Sequence, residues 1–528
     1  MGNMLGVMFD CSRNAVMNPG TVKQYADILK KMGYNTIMLY IEDTYEIDGE
    51  PYFGHLRGRY TKEELKDLDS YCNKIGMELI PCIQTLAHLE AIFKWDGVYT
   101  DIRDCASILL ADDEKTYKLI EGMISTFAEV FTSKKIHIGM DEAEGVGSGK
   151  YQRLHGVNDA FDVMNNHLHR VCAIAEKYGM EPMIWSDMFC KLALNLDSQY
   201  DSGDMSRILE KAKLPEDVSL VYWDYYSTDY NRYVEQIKVN KAFGRKVYFA
   251  GGAWAWKGIA SDNDFSIRTT KAALSACRDM GVDDVIITMW GDDGNECPKA
   301  ALLPSLMYAA EVYRGNDDMD SIKSKFREFT SCNFDDFMLF DMADFPGGEY
   351  SRDCIGKKFL YSDIFTGISD FMVKKEYSAY YGNLAKKIAD CTDRGAFEHV
   401  YKFYENFARV LEIKATLGID IREAYLEGNK ETLSECVHII DEYIKRVSDF
   451  HASYEEQWFA ENKPFGFEVM DIRMGGLIQR AKSCKNRILK YTSGEIKEIP
   501  ELTQPILNKG SGMFWSRMVS AGRISMHM

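Results

Sequence analysis

Two adjacent carboxylates, Asp141 and Glu142, are the residues of this sequence best suited to acid–base chemistry. They follow the apolar run KIHIGM, and the glycine-rich segment GVGSG begins at Gly145. Neighbouring residues of a strand point to opposite faces, so both carboxylates can address one ligand only where the strand breaks into a loop. Two carboxyl groups crowded into an apolar site push their pKa values apart, so one stays protonated while the other ionises. The pair therefore indicates general acid–base catalysis.

Aromatic rings, further carboxylates and one arginine follow the other apolar runs of the first 300 residues. Five of the eight tryptophans are among them. The candidate residues are Arg13, His88, Trp185, Tyr222, Trp223, Asp224, Tyr225, Trp254, Trp256, Trp290 and Asp292. Indole rings stack on the C–H faces of a sugar, and carboxylate and guanidinium groups bind its hydroxyls. The set therefore predicts a pocket for a pyranose ring.

These residues need a scaffold that brings the ends of many strands together. Eight apolar or β-branched runs alternate with stretches of helical period, at 4–10, 35–41, 77–83, 135–141, 181–187, 218–224, 246–252 and 284–290. Eight βα units predict an α/β fold, a (β/α)8 TIM barrel whose active site lies at the carboxyl ends of the strands. An open doubly wound sheet is the alternative, but no GxGxxG motif follows the first run.

The strand pattern stops after about residue 310, and residues 370–528 are mostly helical in period. We therefore predict two domains, a catalytic barrel over 1–315 and a mainly α-helical C-terminal domain over 316–528. The apolar faces of these helices could pack against a second copy of the chain, which makes a homodimer one candidate assembly.

Composition excludes several classes of function. The 528 residues carry a formal net charge of −18, which repels the phosphates of nucleic acid. The N-terminus lacks the pattern of a signal peptide, and no apolar stretch of about 18 residues predicts a membrane span. The 13 cysteines include no CxxC pair, as is typical of reduced core thiols. We predict a cytoplasmic protein with no nucleic-acid or membrane partner, no cofactor and no metal.

The segment His137-Ile-Gly-Met-Asp-Glu142 resembles the H-x-G-G-D-E signature of glycoside hydrolase family 20, the β-N-acetylhexosaminidases, and departs from it at Met140. Five other segments resemble family motifs in the expected order: Asp10-Cys-Ser-Arg13 (D-x-x-R), Leu86-Ala-His88 (P-G-H), Trp185-Ser-Asp187 (W-x-D/E), Tyr222-Trp-Asp224 (Y-x-D) and Trp290-Gly-Asp292 (W-x-E). The resemblance covers about residues 1–310. The helical region resembles a compact bacterial subgroup of the family.

The resemblance implies an exo-acting, retaining enzyme that removes a terminal GlcNAc or GalNAc from a glycan or oligosaccharide. In the family's substrate-assisted mechanism, the acetamido oxygen of the substrate attacks the anomeric carbon and forms an oxazolinium intermediate. Glu142 would be the general acid and then the base, and Asp141 would orient the acetamido group. Tyr222 or Tyr225 would donate to the acetamido oxygen, and strand alternation favours Tyr222, with Trp223 facing away.

The remaining roles also follow from the resemblance. Arg13 would grip O3 and O4 of the sugar, Asp224 would hold the acetamido group, and Asp292 would bind O4 and O6. His88 would tune the acid, with Glu42 or Asp43 behind it. Residues Trp185, Tyr225, Trp254, Trp256 and Trp290 complete the predicted substrate site.

Three alternatives stay open. A metal-dependent hydrolase could use His88 and His137, although the chain has no HExxH motif. A non-catalytic carbohydrate-binding barrel could use the same pocket, although binding alone needs no adjacent acid pair. A retaining glycosidase could use a protein nucleophile, with Glu142 and Asp292 as its two carboxylates. Preference between GlcNAc and GalNAc, which differ by one hydroxyl orientation, is not predicted.

Overall fold

The computed structural model describes residues 3–194, 205–346 and 354–507. Its strands are β1 (Leu5–Asp10), β2 (Thr36–Tyr40), β3 (Glu78–Cys82), β4 (Arg103–Cys105), β5 (Ile108–Leu109), β6 (Lys135–His137), β7 (Glu181–Trp185), β8 (Ser219–Trp223), β9 (Val247–Gly252) and β10 (Val285–Met289). Eight of them form a closed parallel barrel in the order β1, β10, β9, β8, β7, β6, β3, β2. The short pair β4 and β5 is antiparallel and lies in the loop after β3.

The predicted barrel is confirmed, since each of the eight predicted strands is present. The largest difference is at β6, which ends at His137 instead of residue 141. The barrel interior is filled by Met8, Met38, Ile80, Met183, Val221 and Ile286, which come from six different strands and are buried. This apolar layer is the floor on which the polar residues at the strand ends stand.

In the described ranges, ten helices accompany the barrel: α1 (Pro19–Met32), α2 (Lys62–Lys74), α3 (Glu114–Val130), α4 (Lys150–His155), α5 (Ala160–Lys177), α6 (Asp187–Leu194), α7 (Met205–Lys211), α8 (Tyr230–Ala242), α9 (Asn263–Asp279) and α10 (Leu303–Tyr313). Local sequence explains where they begin and end. The Asn18 side chain accepts the amide of Thr21 at the start of α1, and Gly33 ends that helix at φ 91°. Thr61 and Glu64 form a capping box on α2.

The C-terminal domain is helical, as predicted. It contains α11 (Met319–Thr330), α12 (Phe334–Asp341), α13 (Ile355–Tyr361), α14 (Tyr377–Ala389), α15 (Glu398–Leu426), α16 (Lys430–Glu461) and α17 (Phe467–Thr492). The predicted boundary at 315/316 falls between α10 and α11. Polar contacts join the domains: Glu461, at the end of α16, accepts the amides of Lys299 and Ala300 after β10. In the described part of the chain, no helix is long and apolar enough to cross a bilayer.

Candidate active site

The Asp141–Glu142 pair leaves the barrel on an irregular turn. Strand β6 stops at His137, after which Gly139, Met140 and Glu142 take positive φ angles of 73°, 73° and 49°. These left-handed residues break the alternation of side chains, so both carboxylates line one pocket at the barrel mouth. The predicted break therefore exists, but it begins before the carboxylates and not in the glycine-rich segment after them.

Asp141 is held as an ionised carboxylate. Its side chain is 10% exposed. Oδ1 accepts a hydrogen bond from Gln84 Nε2 at 2.7 Å, and Oδ2 lies 3.3 Å from His88 Nε2. Burial alone would raise the pKa of this carboxyl, but the charge and hydrogen bond of His88, together with Gln84, lower it to about 2.

The pKa of Glu142 is shifted in the opposite direction. Its Oε2 lies 3.5 Å from His88 Nε2, and its side chain is 57% exposed because it faces the pocket mouth. Enclosure by the pocket wall raises the pKa of the Glu142 carboxyl. The charge of His88 opposes this rise, and the charge of Asp141 adds a smaller rise. The pair therefore holds one carboxyl more acidic than usual and one less acidic, which is the condition for a general acid beside a permanent charge.

A third carboxyl group, Asp187, backs this pair. It begins α6 directly after β7, and its Oδ2 accepts the backbone amide of Glu142 at 3.3 Å. Burial and the charge of Asp141 raise the pKa of Asp187 to about 8. The side chain therefore anchors the left-handed Glu142 backbone while it stays mostly protonated at neutral pH.

His88 joins the acid pair to the neighbouring arginine. Its Nδ1 lies 3.4 Å from Arg13 Nη2, on the side of the ring opposite to the two carboxylates. Burial would lower the pKa of His88, but the charge and the hydrogen bond of Asp141 together raise it to about 9. His137 is buried below the pocket, where it accepts the amide of Gly139, and burial lowers its pKa to about 3.

Arg13 forms an ionic corner of the pocket with Asp292. Its Nη1 donates to Asp292 Oδ1 at 2.7 Å, and its Nε donates to Glu42 Oε1 at 3.0 Å. The guanidinium also lies over the rings of Tyr40 and Trp290, at 5.7 and 5.9 Å from their centroids. The sequence predicts Glu42 or Asp43 behind His88. In the structure Glu42 contacts Arg13, and Asp43 pairs with Arg57.

Aromatic rings form the rest of the pocket wall. The lining residues are Arg13, Asp141, Glu142, Trp185, Trp223, Tyr225, Tyr226, Trp256, Trp290 and Asp292. They enclose about 450 Å³, including the part that opens to solvent. One end is ionic, one side carries the acid pair, and the remaining walls are indole and phenol rings. This arrangement suits a small polyhydroxylated ring whose faces are apolar.

The barrel sequence also matches a known family. The model of the catalytic domain of glycosyl hydrolase family 20 matches residues 5–285, more than half of the chain. The chain belongs to glycoside hydrolase family 20. A second model, the Glycoside Hydrolase 20C C-terminal domain, matches residues 335–512. The family resemblance in the motifs is therefore confirmed, and it extends into the helical region.

Named relatives of this family 20 chain are distant. Hexosaminidase D of Bos taurus is 26% identical over 247 residues, which are 44% of this chain and 64% of the bovine protein. Hexosaminidase D of Homo sapiens is 24% identical over 207 residues, 38% of this chain and 40% of the human protein. Each match spans less than two thirds of the relative. A structure of a family 20 exo β-N-acetylglucosaminidase from Vibrio harveyi with N-acetylglucosamine has 16% identity and a TM-score of 0.49, covering 64% of this chain and 58% of its own.

Within the family 20 barrel, the side chains at the end of β8 face other directions than predicted. Strand alternation turns Val221 and Trp223 toward the barrel interior, and Trp223 lines the pocket. The prediction that Tyr222 faces the pocket is wrong: its ring packs outside the barrel interior, 5.6 Å from Phe249. Tyr225 lines the pocket instead.

Two other predicted substrate contacts lie behind the pocket wall. Asp224 is fully buried and accepts hydrogen bonds from Tyr222 OH at 3.2 Å and from the amide of Tyr226. Trp254 stacks on Trp256 with ring centroids 4.3 Å apart, and its Nε1 donates to the carbonyl of Tyr225. Both predictions are wrong in the same way: neither Asp224 nor Trp254 lines the pocket, whereas their contacts Tyr226 and Trp256 do.

Sequence reasoning missed Gln84, Tyr40 and Tyr226. Gln84 follows β3 in the position where other strands carry carboxylates, a signal that could have identified it. Tyr40 is an inward residue of β2, and its hydroxyl donates to Glu42 and accepts from Gln84. Tyr226 stands beside Tyr225 on the pocket wall.

In the described ranges, no group of three or more His, Cys, Asp or Glu side chains is arranged to hold a metal ion. The sequence does contain one His-x-His pair, His167 and His169 on α5. His167 is buried, where it contacts the carbonyl of Thr85 and the hydroxyl of Tyr117. His169 contacts the carbonyl of Lys213.

Proposed function

We propose that this protein is an exo-acting, retaining β-N-acetylhexosaminidase that removes a terminal GlcNAc or GalNAc from glycans. The observation that carries the proposal is that Asp141 and Glu142 face one aromatic pocket with pKa values displaced in opposite directions. The Arg13–Asp292 corner limits the pocket at one end, which supports removal of a terminal sugar.

The reaction begins with proton transfer from Glu142 to the glycosidic oxygen. As the bond from the anomeric carbon to that oxygen breaks, the acetamido oxygen of the substrate forms a new bond to the anomeric carbon. The product of this step is an oxazolinium ion. Glu142, now ionised, takes a proton from water, whose oxygen attacks the same carbon and regenerates the acetamido group with retained configuration.

Asp141 supplies the permanent charge. Its carboxylate accepts the N–H of the acetamido group, which turns the acetamido oxygen toward the anomeric carbon, and it stabilises the positive charge of the oxazolinium ion. Gln84 and His88 hold this carboxylate, so it is oriented before the substrate arrives. The donor to the acetamido oxygen is one of the two pocket tyrosines, Tyr225 or Tyr226.

The other pocket residues bind the sugar ring. Arg13 and Asp292 bind its hydroxyls, and Trp185, Trp256 and Trp290 pack on its faces. Asp224 and Trp254 act from behind, because they position Tyr226 and Trp256. Cytoplasmic location and a homodimer stay predictions from the sequence.

The proposal is tested with a chromogenic β-N-acetylglucosaminide and the matching β-glucoside. The purified protein should cleave only the N-acetyl substrate. Glu142→Gln and Asp141→Asn should each lower kcat by several orders of magnitude on a substrate with a poor leaving group. Equal cleavage of the glucoside would point to a protein nucleophile. Binding of the sugar without cleavage of either substrate would point to a carbohydrate-binding protein.

A further inference from the structure

The loop after β10 carries Trp290 and Asp292 into the pocket and then takes an unusual path. Three consecutive residues, Asp293, Gly294 and Asn295, have positive φ angles of 57°, 108° and 58°. For residues other than glycine, this conformation is strained and persists only where the surrounding structure imposes it. The position of Asp292 therefore depends on what holds the three residues that follow it.

The C-terminal domain supplies two cations for this purpose. Lys357 Nζ of α13 lies 2.7 Å from Asp293 Oδ2 and 2.7 Å from Glu296 Oε2. Arg473 of α17 donates from Nη1 to the carbonyl of Asp293 at 3.1 Å and to Glu296 Oε1 at 2.7 Å. Tyr361 adds a hydrogen bond to Glu296.

This group is buried, so its geometry is strongly constrained. The side chains of Lys357, Glu296 and Arg473 are 1%, 0% and 0% exposed. Two cations face two carboxylates, and removal of one partner would leave a buried charge uncompensated. Burial favours the neutral form of Lys357, but Asp293 and Glu296 outweigh it and raise the pKa of the ammonium group above its usual value.

The start of α17 also supports the other member of the ionic corner. Asn14, next to Arg13, has a φ of 82° and donates from Nδ2 to the carbonyls of both Gly294 and Gly466. Gly466 is the residue before α17, and a Cβ atom there would lie 2.3 Å from the carbonyl oxygen of Asn14. One helix of the C-terminal domain thus contacts the neighbours of both Arg13 and Asp292.

We propose that Arg473 and Lys357 are positioning residues of the sugar site, which hold the Asp292 loop in register with Arg13. Neither side chain lines the pocket. They act through Asp293 and Glu296, so the helical domain completes the part of the site that binds the sugar hydroxyls. This inference rests on the proposed hexosaminidase function.

The test compares Arg473→Met and Lys357→Met with Arg480→Met. Arg480 lies on the same helix and pairs with Asp363 inside the C-terminal domain, so its loss is a matched control. Displacement of Asp292 should raise KM for the chromogenic N-acetylglucosaminide in both test variants, on the order of tenfold, with a smaller change in kcat. The pH profile of kcat should keep its wild-type shape, because Glu142 and His88 do not change.

A KM within twofold of the Arg480→Met value in both folded test variants would overturn the inference. If the methionine variants fail to fold, Arg473→Lys keeps the buried charge but loses the planar fork. A raised KM in that variant supports the proposal, and an unchanged KM contradicts it. If the wild-type protein binds N-acetylglucosamine but cleaves no substrate, only the proposed activity is contradicted. In that case Arg473→Met and Lys357→Met should raise the Kd for N-acetylglucosamine relative to Arg480→Met. A wild-type protein that neither cleaves nor binds the sugar overturns both proposals.

Discussion

Asp187 is a buried carboxyl group behind the acid pair, where its Oδ2 accepts the backbone amide of Glu142. Its raised pKa means that the folded protein holds a proton on this group between about pH 4, where an unfolded Asp titrates, and about pH 8. Stability from this group is therefore fully present below about pH 4 and is lost as pH rises toward 8. Protonated Asp187 is close in shape and charge to asparagine.

We expect Asp187→Asn to retain most of the activity at neutral pH and to remove this loss of stability. The free energy of unfolding of Asp187→Asn minus that of the wild type should be larger at pH 8 than at pH 4. Urea unfolding at both pH values measures it. A difference that is equal at the two pH values would show that Asp187 is ionised throughout.

Asp187→Ala is the matched counterpart, because it removes the acceptor of the Glu142 amide as well as the charge. Without this anchor the left-handed Glu142 backbone loses a constraint, and kcat/KM should fall on the order of tenfold. Equal activity of the alanine and asparagine variants would show that the hydrogen bond does not position Glu142.

At the scale of elements, the break in the chain after β6 determines where the acid pair points. Gly139 has a φ of 73°, and a Cβ atom there would lie 2.1 Å from Gln84 Oε1 and 2.7 Å from the carbonyl oxygen of Ile83. Met140 takes the same φ with a buried side chain, where family 20 usually has its second glycine. A side chain at Gly139 would therefore clash with its neighbours. Position 140 accommodates methionine and is constrained only by its backbone conformation.

Gly139→Ala should displace Gln84 from Asp141 and lower kcat by at least about tenfold. Gly179→Ala is the control, because Gly179, just after the end of α5, has a φ of 66° but nothing within 4 Å of the added Cβ atom. Both variants carry the left-handed cost of about 1–2 kcal/mol. An unchanged kcat in both variants would contradict this prediction. It would mean that the clash with Gln84 can be relieved without displacing Asp141.

The eight strands and the acid pair could be predicted from the sequence because each rests on local pattern. The orientation of β8 could not, because the run from Val221 to Tyr226 is apolar or aromatic at nearly every position. Strands of a parallel barrel are buried on both faces, so hydropathy does not identify the inward set. The predicted faces of Tyr222 and Trp223 are therefore wrong.

At the scale of the whole molecule, the C-terminal domain holds two loops of the barrel mouth. Besides the contacts of Lys357 and Arg473, Asp344 accepts the amides of Ile259 and Ala260, in the loop that follows Trp256. These contacts join residues separated by more than 60 positions, and their spacing carries no signal in a single sequence. The glycine- and aromatic-rich composition around Trp458 and Arg473 suggests that this segment reaches the barrel mouth, but the contacts of Arg473 with Asp293 and Glu296 cannot be predicted from it.

Asp344→Ala should lower the free energy of unfolding by about 2–5 kcal/mol, because it leaves buried amides of the barrel loop and of Lys357 without an acceptor. Asp318→Ala is the control: Asp318 caps α11 at the surface, and its loss should cost about 1 kcal/mol. Denaturant titration of both variants provides the comparison. An equal loss in the two variants would mean that the loop does not depend on the helical domain.

We propose that the acetamido group of the substrate is the nucleophile, and one series of substrates tests this. The quantity to measure is kcat/KM for aryl glucosaminides whose N-acetyl group carries zero to three fluorine atoms. Each fluorine withdraws electrons from the acetamido oxygen and weakens its attack on the anomeric carbon. If the acetamido oxygen attacks, kcat/KM of the wild-type protein should fall steeply and progressively across the series. A rate that does not change with fluorine content would contradict it and assign the attack to a carboxylate of the protein.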